Sequence, residues 1–108
     1  MDRRHNRPMA DNATYAITAV RFAGAHVVEA MMGLIDGTRA RWDLSPAPTS
    51  VTEVVDRMVE GDTVISLLPD EEGRLHPGPE VKVDVLPGGA EILAFADEGR
   101  SIAELPTF

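Results

Sequence analysis

Ser50-Val51-Thr52-Glu53-Val54-Val55-Asp56-Arg57-Met58-Val59-Glu60-Gly61 reads as an amphipathic helix with both ends marked. Val51, Val54, Val55, Met58 and Val59 recur at i, i+3, i+4, i+7 and i+8, which puts them on one stripe of a 3.6-residue period. Thr52, Glu53, Asp56, Arg57 and Glu60 face away from it. Ser50 and Glu53 have the capping-box spacing, in which hydroxyl and carboxylate each satisfy an orphan amide of the first turn. Gly61 stands where a helix-terminating residue is needed. Four valines are mediocre helix formers, so burial against a sheet rather than propensity must hold residues 51–60 helical. Glu53 and Arg57, at i and i+4, read as a surface ion pair.

The flanks of this helix supply the sheet. Upstream, residues 14–22 (TYAITAVRF) and 26–35 (HVVEAMMGLI) are rich in β-branched and apolar residues and are joined by Ala23-Gly24-Ala25, where Gly24 is free to take positive φ. Asp36-Gly37 is a second turn signal. Residues 38–44 (TRARWDL) then alternate as a third short strand, and residues 45–50 (SPAPTS), interrupted by Pro46 and Pro48, read as a semi-rigid connector. Downstream, residues 62–68 (DTVISLL) form a strand stopped by Pro69, and residues 70–80 (DEEGRLHPGPE) read as an exposed loop. Val81-Lys82-Val83-Asp84-Val85 alternates strictly, Pro87-Gly88 signals a type II turn, and residues 90–96 (AEILAFA) return as the partner strand.

Together these readings describe an α+β domain over residues 14–108. A small twisted, mainly antiparallel sheet of five or six strands carries the helix on one face, with a partly open small β-barrel as the alternative. Residues 1–13 mix charge, Pro and small polar groups without periodicity and read as a disordered arm. Met9 is a second plausible start; beginning there would remove Arg3, Arg4 and Arg7.

The two ends of the domain also carry a resemblance. Residues 15–21 (YAITAVR) open the fold, and Asp97, Ile102, Leu105, Pro106 and Phe108 close it. This arrangement resembles the small bacterial family catalogued as domain of unknown function three-eight-nine-two, with its ITAVR-type first strand, central helix ending in Gly, hairpin and Leu-Pro-x-Phe tail. The resemblance implies the same small α+β fold. It implies no reaction and no catalytic residues.

Composition bounds the chemistry. The 108 residues contain no Cys, so thiolate nucleophiles, disulfides and Cys-based zinc sites are excluded. No apolar run reaches the ~20 residues that span a bilayer, and a cytoplasmic location is the expectation. Ten basic groups against 18 acidic give a net charge of −8. The imbalance lies in residues 42–108, with 4 basic and 14 acidic groups, whereas residues 1–41 have 6 and 4. Such a surface repels phosphate backbones and favours a basic protein as partner, so neither a nucleic acid nor a membrane is the expected partner, and Arg3, Arg4 and Arg7 of the arm carry no nucleic-acid reading.

His5, His26 and His76 lack metal-ligand spacing, and Asp70-Glu71-Glu72 lacks the alternation of a Ca²⁺ loop. No G-x-S-x-G, P-loop or G-x-G-x-x-G occurs, and no cofactor is expected. Trp42 is either an exposed interface anchor or the cap of a small core. Met31 and Met32 put one sulfur on each sheet face. Ile102, Leu105, Pro106 and Phe108 either fold back as a lid or dock on a partner, including a second copy in a homodimer. The candidate interaction residues are therefore Trp42, Asp70, Glu71, Glu72, Ile102, Leu105 and Phe108. They point to a non-enzymatic protein-interaction or self-associating module. A small-molecule-binding domain or minor enzyme, with a pocket between helix and sheet bordered by Arg21, Trp42 and the 70–80 loop, is the alternative.

Overall fold

The computed structural model describes residues 12–36 and 41–108. The expected arm up to residue 11, with Met9 and His5, and the turn and strand start at 37–40 lie outside the described residues. In chain order the elements are β1 (Thr14–Ala23), β2 (His26–Asp36), β3 (Arg41–Ser50), α1 (Val51–Val59), β4 (Thr63–Pro69), β5 (Leu75–Val85), β6 (Glu91–Phe95) and a short 3-10 turn (Ile102–Glu104). The six strands form one sheet in the order β3-β2-β1-β4-β5-β6, which is not closed into a barrel. Four of the five pairings are antiparallel; β1 and β4, the central pair, run parallel. The parallel pair follows from the helix, which carries the chain from the β3 edge back to the other side of β1.

α1 forms where its sequence places it, with the Ser50 half of the expected capping box made. Ser50 Oγ accepts the Glu53 N–H at 3.2 Å. At the other end, the Gly61 N–H donates to the Met58 carbonyl and the Asp62 N–H to that of Arg57, with Gly61 at φ 100°. This is the left-handed termination that glycine makes without strain. Val54 and Val55 are buried, and Val51 and Met58 pack against the core. Burying each of those two valines is worth about 1.5–3 kcal/mol. Two details depart from the sequence pattern. Val59, the last residue of the stripe, is 79% exposed, and the Arg57 guanidinium turns to Glu60 at 3.1 Å rather than to Glu53.

Residues 45–50 are not a connector: they continue β3 as an edge strand. Pro46 and Pro48 have the same parity, so the N–H groups they lack would both point the same way, and an edge strand has one side where no partner needs them. Likewise β5 begins at Leu75, so only residues 70–74 remain of the expected 70–80 loop. Pro77, Gly78 and Pro79 are accommodated by a register shift, where Ile65 faces Glu80 but Leu67 faces Pro77. Within this bulge the buried Ser66 hydroxyl donates to the Pro79 carbonyl at 2.7 Å. A Cβ on Gly78 would meet Ser66 Oγ at 2.6 Å, so this position needs glycine.

The β5–β6 hairpin forms between the two expected strands, with Val81 opposite Phe95 through Val85 opposite Glu91. Its turn is not type II. Positive φ falls on Gly89 (91°) and not on Gly88, and the Gly89 N–H donates to the Leu86 carbonyl. That is a three-residue loop with its left-handed residue third. The alternation fades outward: Val81 is buried, whereas Val85 is exposed.

The core lies between one sheet face, α1 and the β5–β6 hairpin, and is lined by Ile17, Val20, Met32, Val64, Leu93 and Phe95 among others. Ile17 and Val20 are three apart, an odd spacing that regular alternation would send to opposite faces. A register shift between Ile17 and Ala19 brings both inward. The carboxyl-terminal residues complete this core in cis. Ser101 and Glu104 form a capping box, Ile102 packs on the core, and Leu105 is 2% exposed within it. The Val20 N–H then donates to the Pro106 carbonyl at 2.8 Å, and the Phe108 N–H to the Val20 carbonyl at 3.1 Å. Near the other end, Asn12 Nδ2 donates to the Gly61 carbonyl and the Ala13 N–H to Asp62 Oδ1, tying these residues to the α1–β4 turn.

Candidate functional site

The helix covers one face of the sheet, and the strand register defines what the other face presents. On β4, Val64 and Ser66 point to the core, so Ile65 and Leu67 point away from it. Ala16 sits beside Ile65 in the parallel pair and opposite Gly33 in the antiparallel one, which makes a floor of small residues. Ile35 pairs with Trp42 on one side of that floor; Leu67 pairs with Pro77 and Pro69 with Leu75 on the other. Ile35, Trp42, Ile65, Leu67, Leu75 and Pro77 thus line an apolar groove of about 390 Å³ with Arg41 at its margin. The indole lies over Gly33, where an added Cβ would come within 2.8 Å of Trp42 Cζ3. Trp42 is half-buried and stands apart from the main core, so it caps a second, smaller apolar cluster on the face away from α1.

The acidic turn adjoins this groove, because Leu75 follows it directly. Its residues hold one another. Asp70 Oδ1 accepts the Glu72 N–H at 2.8 Å and the Arg74 N–H at 2.9 Å, and Asp70 Oδ2 lies 2.8 Å from His76 Nε2. Arg74 pairs with Glu72 and reaches Asp70 at 3.6 Å. Asp70 is therefore occupied by internal donors, whereas Glu71 is exposed and forms no ion pair among the described residues. No cluster of three His, Cys, Asp or Glu side chains suited to a metal ion occurs among the described residues.

The hydrogen bond from His76, helped by the two backbone amides, holds the Asp70 carboxyl below its ordinary value. A depressed carboxylate pKa contributes stability at pH above the unfolded value and loses it as pH falls through the folded one. The Glu72 and Arg74 amides should accordingly keep their hydrogen-bonded chemical shifts until pH drops below the ordinary carboxylate range. An NMR titration reads this directly, and a transition at or above the usual aspartate value would refute the assigned contacts.

The other residues singled out in the sequence lie elsewhere. Arg21 faces Glu29 at the far end of β1, 3.6 Å from its carboxylate, and its guanidinium sits 4.8 Å from the Phe108 ring centre. Arg21 and Trp42 do not border one pocket, and the meeting of Trp42 with Leu75 and Pro77 is on the face opposite α1. Leu105 is committed to the core and Ile102 packs against it, while Phe108 is 37% exposed. Met32 is in the core and Met31 is half-buried, one sulfur to each face. A separate recess of about 430 Å³ sets the Asp70–His76 pair beside Arg100 and Glu104, which close on each other at 2.7 Å. Ser66 is not a nucleophile for that recess: its hydroxyl is buried and committed to Pro79.

Ile65 and Leu67 were readable only as strand residues. Their place on the face away from α1 depends on which side the helix takes, and no local signal carries that. No family model matches the chain, and no curated protein or solved structure does either. Among the described residues, no helix is long and apolar enough to cross a membrane.

Proposed function

We propose that this protein is an interaction module that docks an apolar, basic segment of a partner protein on the sheet face away from α1. The observation that carries the reading is the Trp42–Leu75 groove, an apolar strip with an aromatic anchor beside a carboxylate-bearing turn. A Trp in a partly dry, well-packed setting is the residue type that dominates interface energetics. Glu71 and the net charge of −8 favour a cationic partner and quicken its approach. The family resemblance assigns no reaction, so it adds no catalytic residue to this reading.

The test uses matched baits of the wild-type chain, Trp42→Ala and Glu71→Lys in quantitative pull-downs at low and high salt, with cross-links mapped to residues. A partner that depends on this face should be retained by the wild type and weakened by high salt. Trp42→Ala should cost it about 2 kcal/mol, roughly thirtyfold in Kd, and its cross-links should fall on residues 65–77. Recovery of the same proteins at the same levels by the Trp42→Ala bait would overturn the reading.

A further inference from the structure

Among the described residues, five of the six lysine and arginine side chains sit against a carboxylate. Arg21 pairs with Glu29, Arg57 with Glu60, Arg74 with Glu72, Lys82 with Asp84 and Arg100 with Glu104. Arg41 is exposed and forms no ion pair among the described residues. Asp36 stands opposite it in the register of β2 and β3, but is itself engaged and does not pair with Arg41. An unpaired guanidinium is an exception in a chain of net charge −8. Its place is the margin of the Trp42 groove.

That groove is within reach of a ligand. Its apolar walls, Ile35, Trp42, Ile65, Leu67, Leu75 and Pro77, are each half-buried or exposed, so none is sealed in the core. Its volume of about 390 Å³ falls at the small end of the range for small-molecule sites, which combine apolar walls with a few fixed polar groups. Here the polar group is a guanidinium, whose planar fork takes both oxygens of a carboxylate. Two other recesses lack this combination. One of about 560 Å³, between β6 and the β1–β2 turn, has Lys82 and Arg100 at its rim, both already matched. The other, of about 430 Å³, is lined by the Asp70–His76 and Arg100–Glu104 pairs. We propose that the Trp42 groove binds a small apolar monocarboxylic acid, with the carboxylate on Arg41 and the hydrocarbon body along Trp42, Ile65 and Leu67. The acidic turn stands beyond Leu75 at the opposite end, so the carboxylate has one end of the groove to occupy. An acid seated there covers the indole and so excludes the partner's segment. This exclusion rests on the docking reading given above, whereas the binding does not.

The experiment titrates octanoate, below its micelle concentration, and its neutral isostere octanamide into the full chain at neutral pH. Emission from Trp42, the only tryptophan, reads binding, and amide chemical shifts place it. Octanoate should change the emission saturably and shift the amides of Ile65, Leu67 and Leu75, leaving those of Leu93 and Phe95 in place. Octanamide should bind at least roughly tenfold more weakly, because it brings the same body without the charge. Arg41→Gln should weaken octanoate by about tenfold and bring it level with octanamide, while Arg41→Lys should keep the preference for the acid. In low-salt pull-downs, saturating octanoate should release the proteins that depend on Trp42. The proposal is overturned if acid and amide bind alike, if Arg41→Gln leaves octanoate binding unchanged, or if the shifts centre on Leu93 and Phe95. Trp42-dependent proteins that stay bound under saturating octanoate overturn the exclusion. Equal recovery by the wild-type and Trp42→Ala baits removes the docking reading instead, while the titration decides the ligand independently.

Discussion

Gly33→Ala should destabilise the fold by about 3 kcal/mol, near the upper end of what overpacking a tight site costs. On β2, Met32 faces Ala47 and Leu34 faces Leu44, so two steps along β2 oppose three along β3. The surplus residue makes β3 bow over Gly33. A Cβ there would lie 2.5 Å from the Leu44 carbonyl oxygen, 2.8 Å from Pro46 N and 2.8 Å from the indole. Two of those neighbours are backbone, which cannot rotate out of the way, so the strand itself must shift. Gly88→Ala is the fitting control, since nothing lies within 4 Å of its Cβ position and its φ is not positive. Urea denaturation should place the control within about 0.5 kcal/mol of wild type. It should lower the Gly33→Ala midpoint sharply, and Trp42, the only tryptophan, should report the displaced strand in its native fluorescence. A Gly33→Ala protein as stable as the control would mean that β3 is not bowed in this way. The same substitution moves the indole, so a folded Gly33→Ala protein should also lose the partner proposed for the Trp42 face.

This glycine illustrates what the sequence does and does not encode. Where the deciding interaction is local, the residues were sufficient. The Ser50 cap, the Gly61 termination and the strand at Val81–Val85 each rest on neighbours within a few positions, and all three are formed, although the buried face of that strand fades towards Val85. Where the deciding fact is position in the sheet, local rules misled. Prolines 46 and 48 argue against a strand only if both of its sides must pair, and β3 lies at the edge. Pro77, Gly78 and Pro79 argue for a loop unless a bulge takes them up, and Ser66 on another strand provides for that bulge. The site shows the same division. Trp42 and Asp70-Glu71-Glu72 stood out individually as residue types suited to an interface. That they border one face depends on the parallel β1–β4 pairing, which brings β4 and the turn after it to the side of β1 opposite β2 and β3.

Leu105→Ala should cost about 2–4 kcal/mol, the range for removing most of a leucine side chain from a packed core. For a domain whose total stability is of the order of 5–15 kcal/mol, that is a large fraction for a residue so near the end of the chain. The magnitude follows from enclosure. Leu105 is 2% exposed among Val20, Phe95 and the other core residues, and the backbone on either side is pinned by the 3-10 turn and by the two hydrogen bonds to Val20. With the chain anchored on both sides of the site, little can move in to fill the cavity. Phe108→Ala should cost under about 1 kcal/mol, because its ring is partly exposed and its main contact is the Arg21 guanidinium at 4.8 Å. The contrast distinguishes the two roles the sequence left open for these residues. A lid that completes the core must show a steep loss at Leu105 and a shallow one at Phe108 in equilibrium unfolding of the free protein. A tail whose apolar residues served chiefly to grip a partner would show little loss at either position until that partner was added. Equal, small losses at Leu105 and Phe108 would therefore remove these residues from the core and reopen the interface assignment for all four apolar positions from Ile102 to Phe108.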